Sequence, residues 1–85
     1  MGKYDKLFTN ILSGRSDQSI RFTELTHLLH AMGFNKRING DHHIFYRQDI
    51  EEIINLQPKG SHAKAYQVRQ VRSLIIKYRL EGPHE

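Results

Sequence analysis

The sequence predicts an α+β fold in which helices cover one face of a small antiparallel sheet, in the order helix, helix, strand, strand, strand, helix. Apolar residues repeat at helical spacing towards both ends of the chain, and the middle reads as short strands around a glycine turn. A chain of 85 residues has room for one core. We therefore expect a single domain over residues 1–85, with an additional N-terminal helix at 1–14, a core at 20–79 and a frayed tail at 80–85.

Two helices are predicted in the first third of the chain. The first has an apolar stripe at the i, i+3, i+4, i+7 and i+8 positions, formed by Tyr4, Leu7, Phe8, Ile11 and Leu12. A polar loop follows at 14–19. Thr23 is expected to cap the second helix and Gly33 to end it. Its buried stripe consists of Leu25, Leu28, Leu29 and Met32.

Three strands and a last helix fill the remainder. Residues 34–38 and 42–47 have strand character and flank Asn39-Gly40, a dipeptide typical of tight hairpin turns. A third strand is predicted at 51–57, because a hairpin alone is rarely stable in water, and Pro58 begins the segment that ends it. The last helix is predicted at 66–78, with helical spacing of Val68, Val71, Leu74, Ile75 and Tyr78.

The composition favours a polyanionic partner. Lys and Arg number 13 against 9 Asp and Glu, a net charge of +4, which suits RNA or DNA first and an acidic protein surface second. The chain has no cysteine, which excludes disulfides, thiolate zinc sites and cysteine nucleophiles. No segment has the pattern of a signal peptide or the length to cross a bilayer. We expect a cytoplasmic protein without a membrane partner.

Two adjacent histidines, His42 and His43, follow the predicted turn. Neighbouring strand residues point to opposite faces, so only one of them can serve a given site. If Phe45 faces the helices, His43 lies on the same side of the strand and His42 lies on the open face. We prefer this assignment. In the alternative, Ile44 faces the helices and Phe45 faces outward. On composition alone, two adjacent histidines are more often part of the polar surface of a strand than part of a functional site.

The sequence around these histidines resembles the HicA family of bacterial toxins, small messenger-RNA interferases of type II toxin–antitoxin systems that a HicB-type antitoxin inhibits. The likeness covers roughly residues 23–78 and rests on Gly33-Phe34 before the hairpin and on four matches within the motif: Gly40, His42, His43 and Phe45. It implies a fold like that of a double-stranded-RNA-binding domain, and it makes His42 the catalytic residue of an RNA endonuclease that needs no metal or cofactor. A histidine can exchange a proton with the ribose 2′-hydroxyl or the leaving 5′-oxygen near neutral pH.

The chain departs from the family pattern at two places. Asp41 stands where the family usually has Ser or Thr, and its carboxylate would repel phosphate while favouring protonated His42. The link at 57–62 is longer than usual, so His62 has no counterpart in the family. Asp41 is therefore expected to weaken or retune the site.

The predicted RNA-binding surface is built from basic residues. Lys59, His62 and Lys64 lie just before the last helix, where cations and helix-end amides together suit a backbone phosphate. Gly40 in the turn belongs to the same predicted surface. Further phosphate contacts are expected from Lys36, Arg37, Arg47 and Arg69, and Arg72, Lys77 and Arg79 are additional candidates. Many basic side chains of this kind are only exposed to solvent and bind no ligand.

Other functions are also compatible with the sequence. Among the 6 histidines, His27 and His30 share a helical spacing, but no third ligand at diagnostic spacing accompanies them, so no metal site is expected. A non-catalytic RNA-binding module, in which Asp41 has removed activity, is the main alternative. A domain whose open sheet face binds only another protein is the third.

Overall fold

The structure is a computed structural model that describes residues 2–83 of the chain. Its elements, in chain order, are α1 (Asp5–Ser13), α2 (Phe22–Ala31), β1 (Asn35–Asn39), β2 (His42–Arg47), β3 (Ile50–Leu56), β4 (Pro58–Lys59), β5 (His62–Ala63) and α3 (Ala65–Tyr78). The predicted α+β class and the order α-α-β-β-β-α are confirmed. The short β4–β5 hairpin before α3 was not predicted.

The main sheet has the order β1-β2-β3, and both pairings are antiparallel. Phe45, Ile54 and Leu56 are fully buried and join the side chains of all three helices in one core. Burying Phe45 confirms the preferred assignment of faces, because strand residues alternate. The opposite face, called the open face below, carries Arg37, His42, Ile44, Tyr46, Ile53 and Asn55.

The turn between β1 and β2 lies one residue later than its dipeptide indicated. Asn39 pairs directly with His42, so the two turn residues are Gly40 and Asp41. Gly40 has a φ of 63°, whereas Asp41 does not have a positive φ. A glycine with positive φ at the first central position is the pattern of a type II′ turn, which matches the twist of antiparallel strands. This turn brings Asp41 next to the first residue of β2.

The second helix begins earlier than expected. The residue before its first turn is Arg21 and no side chain caps the helix, so the predicted capping role of Thr23 is wrong. The backbone at Arg21 is instead extended, and the Phe22 amide donates to the Ser61 carbonyl at 3.0 Å. The segment before α2 is therefore held by the β4–β5 hairpin. Gly33, with a φ of 92°, follows the helix in the left-handed conformation that was predicted.

The first helix contributes directly to the core. Ile11 is completely buried, while Leu12 is 39% exposed, so the predicted buried stripe is wrong at its last position. The Arg72 guanidinium of α3 donates to the Ile11 carbonyl at 3.1 Å and forms two hydrogen bonds with the Asp17 carboxylate, at 2.8 and 3.2 Å. α1 is thus fixed to α3 by apolar packing and by one charged side chain.

The β4–β5 hairpin replaces a segment expected only to link β3 to α3. Lys59 pairs with His62 across Gly60, which has a φ of 62°. The hairpin also binds the chain before α2, because the Ala63 amide donates to the Ile20 carbonyl at 2.9 Å. Pairing with a distant segment cannot be read from local periodicity, which is why the sequence pattern missed it.

The C-terminal segment of the described chain lies against the core. The Leu80 amide donates to the Ile75 carbonyl at 2.9 Å, and the Leu80 side chain packs on the core. Of the tail predicted to fray at 80–85, residues 84 and 85 lie outside the described part. None of the helices within residues 2–83 has the length and apolar character to span a membrane.

Truncating Ile11 tests whether α1 is an integral part of the fold. We expect Ile11→Ala to lower the free energy of unfolding by about 2–5 kcal/mol, because it removes buried methylenes and leaves a cavity. Leu12→Ala, one residue along on the exposed side, should change it by less than about 1 kcal/mol. Urea denaturation followed by circular dichroism measures both, and equal losses would show that α1 packs differently.

Candidate functional site

The candidate site lies at the end of the sheet where β2 begins and β3 ends. His42 is the first residue of β2, and Asn55 lies near the end of β3 on the same open face. The two strands are neighbours, so their side chains meet across the ladder. The His42 side chain is 45% exposed. It is therefore accessible to a large ligand without a pocket.

The His42 ring is oriented by Asn55. His42 Nδ1 lies 3.0 Å from Asn55 Oδ1. A carboxamide oxygen can only accept, so the proton of this hydrogen bond belongs to Nδ1. In the neutral ring Nε2 is then the basic nitrogen, and it lies 3.8 Å from the Asp41 carboxylate. Asn55 thus selects the tautomer that leaves Nε2 able to take up a proton.

A second chain of contacts runs from the turn to the start of α3. The Asp41 carboxylate accepts a hydrogen bond from Gln57 Nε2 at 2.9 Å, and Gln57 Oε1 accepts one from Lys64 Nζ at 3.1 Å. The other Asp41 oxygen is 3.8 Å from His42 Nε2. Four side chains from the turn, β2, the end of β3 and the α3 N-terminus therefore converge.

The pKa of the Asp41 carboxyl is lowered by this setting. The hydrogen bond from Gln57 is the largest cause, followed by the backbone of the turn, and the charges of His42 and Lys64 act in the same direction. Partial burial opposes these effects. Asp41 is consequently ionised at neutral pH, and it places a negative charge beside His42.

Gln67 holds Gln57, the residue that connects Asp41 with Lys64. Its side chain is 1% exposed and lies against the backbone of Gln57. With its carboxamide turned to satisfy both groups, Gln67 donates to the Gln57 carbonyl at 3.2 Å and accepts from the Gln57 amide at 3.0 Å. The carboxamide thus acts like one further residue of a strand paired with the end of β3. It fixes the backbone from which the Gln57 side chain reaches Asp41.

His43 lies on the opposite side of β2. Its ring meets the buried Phe22 ring edge-on, with centroids 4.9 Å apart. It is paired with Leu56, which is also buried. The alternation expected of the two histidines is therefore present, and His43 supports the core beneath the site.

The predicted phosphate-binding residues before α3 form one group. Lys59 and His62 are paired on the β4–β5 hairpin, and together with Lys64 and Gln18 they line a shallow groove. Lys64 also donates to Gln57, so this one side chain connects the groove with the contacts around Asp41 and His42. Gly40 lies in the β1–β2 turn, and a Cβ added there would have no atom within 4 Å apart from its chain neighbours.

The remaining predicted basic residues are spread more widely. Arg37 lies on the open face, with its guanidinium 6.0 Å from the centre of the Tyr46 ring. Lys36 points to the other side of the edge strand β1, and Arg69 is exposed on α3. The structure therefore brings only part of the predicted surface to the His42 end.

Arg47 lies at the far end of β2 and is engaged internally. Its guanidinium forms two hydrogen bonds with the Asp49 carboxylate, at 2.7 and 2.9 Å, and donates to the Met32 carbonyl at 2.9 Å. It also lies over the Phe34 ring. These contacts tie the strand to the end of α2. The structure thus gives Arg47 a bracing role, distant from His42.

Residues 2–83 contain no cluster of side chains suited to bind a metal ion. No three histidine, aspartate or glutamate side chains in that range are grouped as metal ligands would be. His27 and His30 are exposed on α2 and face the groove above β1. They belong to a different part of the surface from His42.

Sequence reasoning missed the amide residues of the site. Asn55 and Gln57 occupy alternate positions at the end of an apolar strand, a spacing that places them on one face. This alternation in the sequence could have indicated that the two side chains lie together. Nothing local marks Gln67, because a glutamine within a basic helix usually faces solvent.

The chain shows no match to any protein-family model, to any curated protein or to any solved structure.

Replacing Gln67 tests its link to Gln57. We expect Gln67→Leu to lower the free energy of unfolding by about 1–3 kcal/mol, because it leaves two backbone groups of Gln57 without partners in a buried place. Gln70→Leu, on the exposed side of α3, serves as the matched control and should change it by no more than about 0.5 kcal/mol. Chemical denaturation of both variants compares them, and a neutral Gln67→Leu would contradict the pairing.

Proposed function

We propose that this protein is a metal-independent RNA endonuclease of the HicA toxin type, with His42 as its proton-transfer residue. The observation that carries the proposal is the hydrogen bond between His42 Nδ1 and Asn55 Oδ1, which leaves Nε2 to accept a proton at the end of the sheet where Gln57 connects Asp41 with Lys64. The motif around Gly40 and Phe45 that resembles the HicA family supports it. The proposed substrate is messenger RNA, in the cytoplasm.

The chemistry uses the nucleophile that RNA itself provides. His42 Nε2 takes the proton of the ribose 2′-hydroxyl, and the oxygen attacks the adjacent phosphorus. The bond from phosphorus to the 5′-oxygen breaks, and this oxygen leaves with a proton from solvent. The products are a 2′,3′-cyclic phosphate and a 5′-hydroxyl. Because the attacking group is already attached to the phosphate, positioning supplies much of the rate.

Binding depends on the groove next to His42. Lys59, His62 and Lys64 supply cationic and donor groups to the RNA backbone without reading its bases. Tyr46 on the open face is 41% exposed and offers an aromatic surface to an unpaired base. Single-stranded RNA therefore suits this shallow site better than a regular duplex.

The proposed protein partner is a HicB-like antitoxin that covers the His42 end. An inhibitor of this site must bury the exposed His42 side chain and meet the positive groove with acidic groups. The net charge of +4 is complementary to such a partner.

One observation favours a second candidate, a non-catalytic RNA-binding module. Asp41 Oδ1 lies 3.8 Å from His42 Nε2, and its negative charge repels the phosphate that a catalytic His42 would have to meet. In that function the same groove binds RNA and no strand is cut. Cleavage assays separate the two candidates.

Replacing His42 tests the catalytic proposal. We expect His42→Ala to reduce cleavage of single-stranded RNA by about 10²–10⁴-fold, the usual contribution of general acid–base catalysis, without unfolding the protein. The wild-type reaction should continue in EDTA and yield 2′,3′-cyclic phosphate ends. Gel analysis of a labelled RNA, with end-group identification, measures both.

The exposed histidine of α2 provides the control. His27→Ala should retain full activity, since His27 lies outside the site. A folded His42→Ala variant that still cuts RNA at the wild-type rate would falsify the mechanism. Salt-dependent binding by a wild-type protein that never cuts would select the non-catalytic module instead.

Replacing Lys64 tests the groove. We expect Lys64→Gln to weaken RNA binding and to reduce the slope of log K against log salt by about 1, the effect of one lost phosphate contact. Lys6→Gln, an exposed position on α1, should leave that slope unchanged. Fluorescence anisotropy at several salt concentrations provides the comparison, and identical slopes for the two variants would exclude Lys64 from the interface.

A further inference from the structure

The Asp41 carboxylate lies where an amide donor, an imidazole ring and the charge of an ammonium group converge. Gln57 Nε2 donates to one of its oxygens at 2.9 Å, and His42 Nε2 is 3.8 Å from the other. The Lys64 ammonium is bound to the far side of Gln57 and contributes its charge to the same place. A group that shares one negative charge between two oxygens is the ligand that this arrangement fits.

A phosphodiester presents the same pattern to a protein. It also shares one negative charge between two non-bridging oxygens, and cationic and amide donors are its usual partners. The carboxylate therefore occupies a position that suits the two non-bridging oxygens of an RNA phosphate. That position is adjacent to Nε2, the atom that must reach the 2′-hydroxyl.

The Asp41 carboxylate can also move out of this position. Its side chain is 68% exposed, and it stands on a two-residue turn rather than within a strand. Within residues 2–83 it is held by the hydrogen bond from Gln57, by the backbone of its turn and by nearby charges, and such exposed interactions are weak. The carboxylate can therefore rotate into solvent without disturbing the core.

We propose that His42, Gln57 and Lys64 form a phosphate-binding site, and that the Asp41 carboxylate occupies this site in the free protein until an RNA phosphate displaces it. This inference rests on the proposed function, because it supplies the place where the RNA backbone binds. The attached carboxylate competes with RNA at an effective concentration on the order of millimolar, as tethered groups do. Asp41 thus lowers affinity and sets a threshold for binding.

Removing the competitor should strengthen binding. We expect Asp41→Ser to bind a 2′-O-methyl RNA oligonucleotide about tenfold more tightly than the wild type, at one fixed salt concentration of about 0.15 M. The 2′-O-methyl group blocks the nucleophile, so the measurement is independent of cleavage. Asp41→Asn, which keeps the size but not the charge, should show part of the gain.

Two controls separate local displacement from a general change of charge. Glu51→Gln removes one exposed negative charge at the far end of β3 and should alter the affinity by less than about twofold. In a Lys64→Gln background, Asp41→Ser should lose most of its effect, since the two side chains share one site. Thermal unfolding checks that every variant is folded.

The outcomes are distinct. Equal gains for Asp41→Ser and Glu51→Gln, no gain, or no binding by any variant would each overturn the inference. Weaker binding by Asp41→Ser would do the same and would show that Asp41 helps to hold RNA through His42. Cleavage by the wild-type protein is measured separately, so activity with an unchanged affinity would refute the displacement while leaving the endonuclease function intact.

Discussion

The burial of Phe45 is the constraint on which the rest of the site depends. Phe45 has no exposed surface and lies in the middle of β2, against the helices. Because the side chains of a strand alternate, this one ring forces His42, Ile44 and Tyr46 to the open face. A slip of one residue would exchange every side chain between core and solvent. The face of the sheet on which His42 lies is therefore fixed by the packing of a residue three positions away.

A second constraint joins the sheet to the last helix. The buried carboxamide of Gln67 pairs with the backbone of Gln57, just beyond the end of β3. The β4–β5 hairpin continues from there and binds the segment before α2 through the Ile20 carbonyl. These contacts bring Lys64, the residue preceding α3, within reach of Gln57. The site is thus assembled from three separate parts of the chain.

The structure also divides the basic residues into two kinds. Arg72 binds Asp17 between α1 and α3, Arg47 braces the far end of β2, and Lys77 pairs with Glu52 at 2.7 Å. These cations are neutralised within the fold. In the groove before α3, Lys64 instead donates to the uncharged Gln57 carboxamide, and Lys59 and His62 are exposed, so positive charge is available there to a polyanion.

The sequence by itself determined the class of fold, the apolar stripes of the helices and the hairpin that carries His42. These features follow from local periodicity and turn chemistry, which a single sequence records. Only the tertiary structure decided that Asn55 orients His42, that Gln57 connects Asp41 with Lys64, and that Gln67 supports Gln57. It also moved the start of α2 away from Thr23, because a hairpin far along the chain binds the segment before that helix. Contacts between segments that are distant in sequence leave no local pattern, so the partners of His42 became visible only when the strands, the hairpin and the helix were placed together.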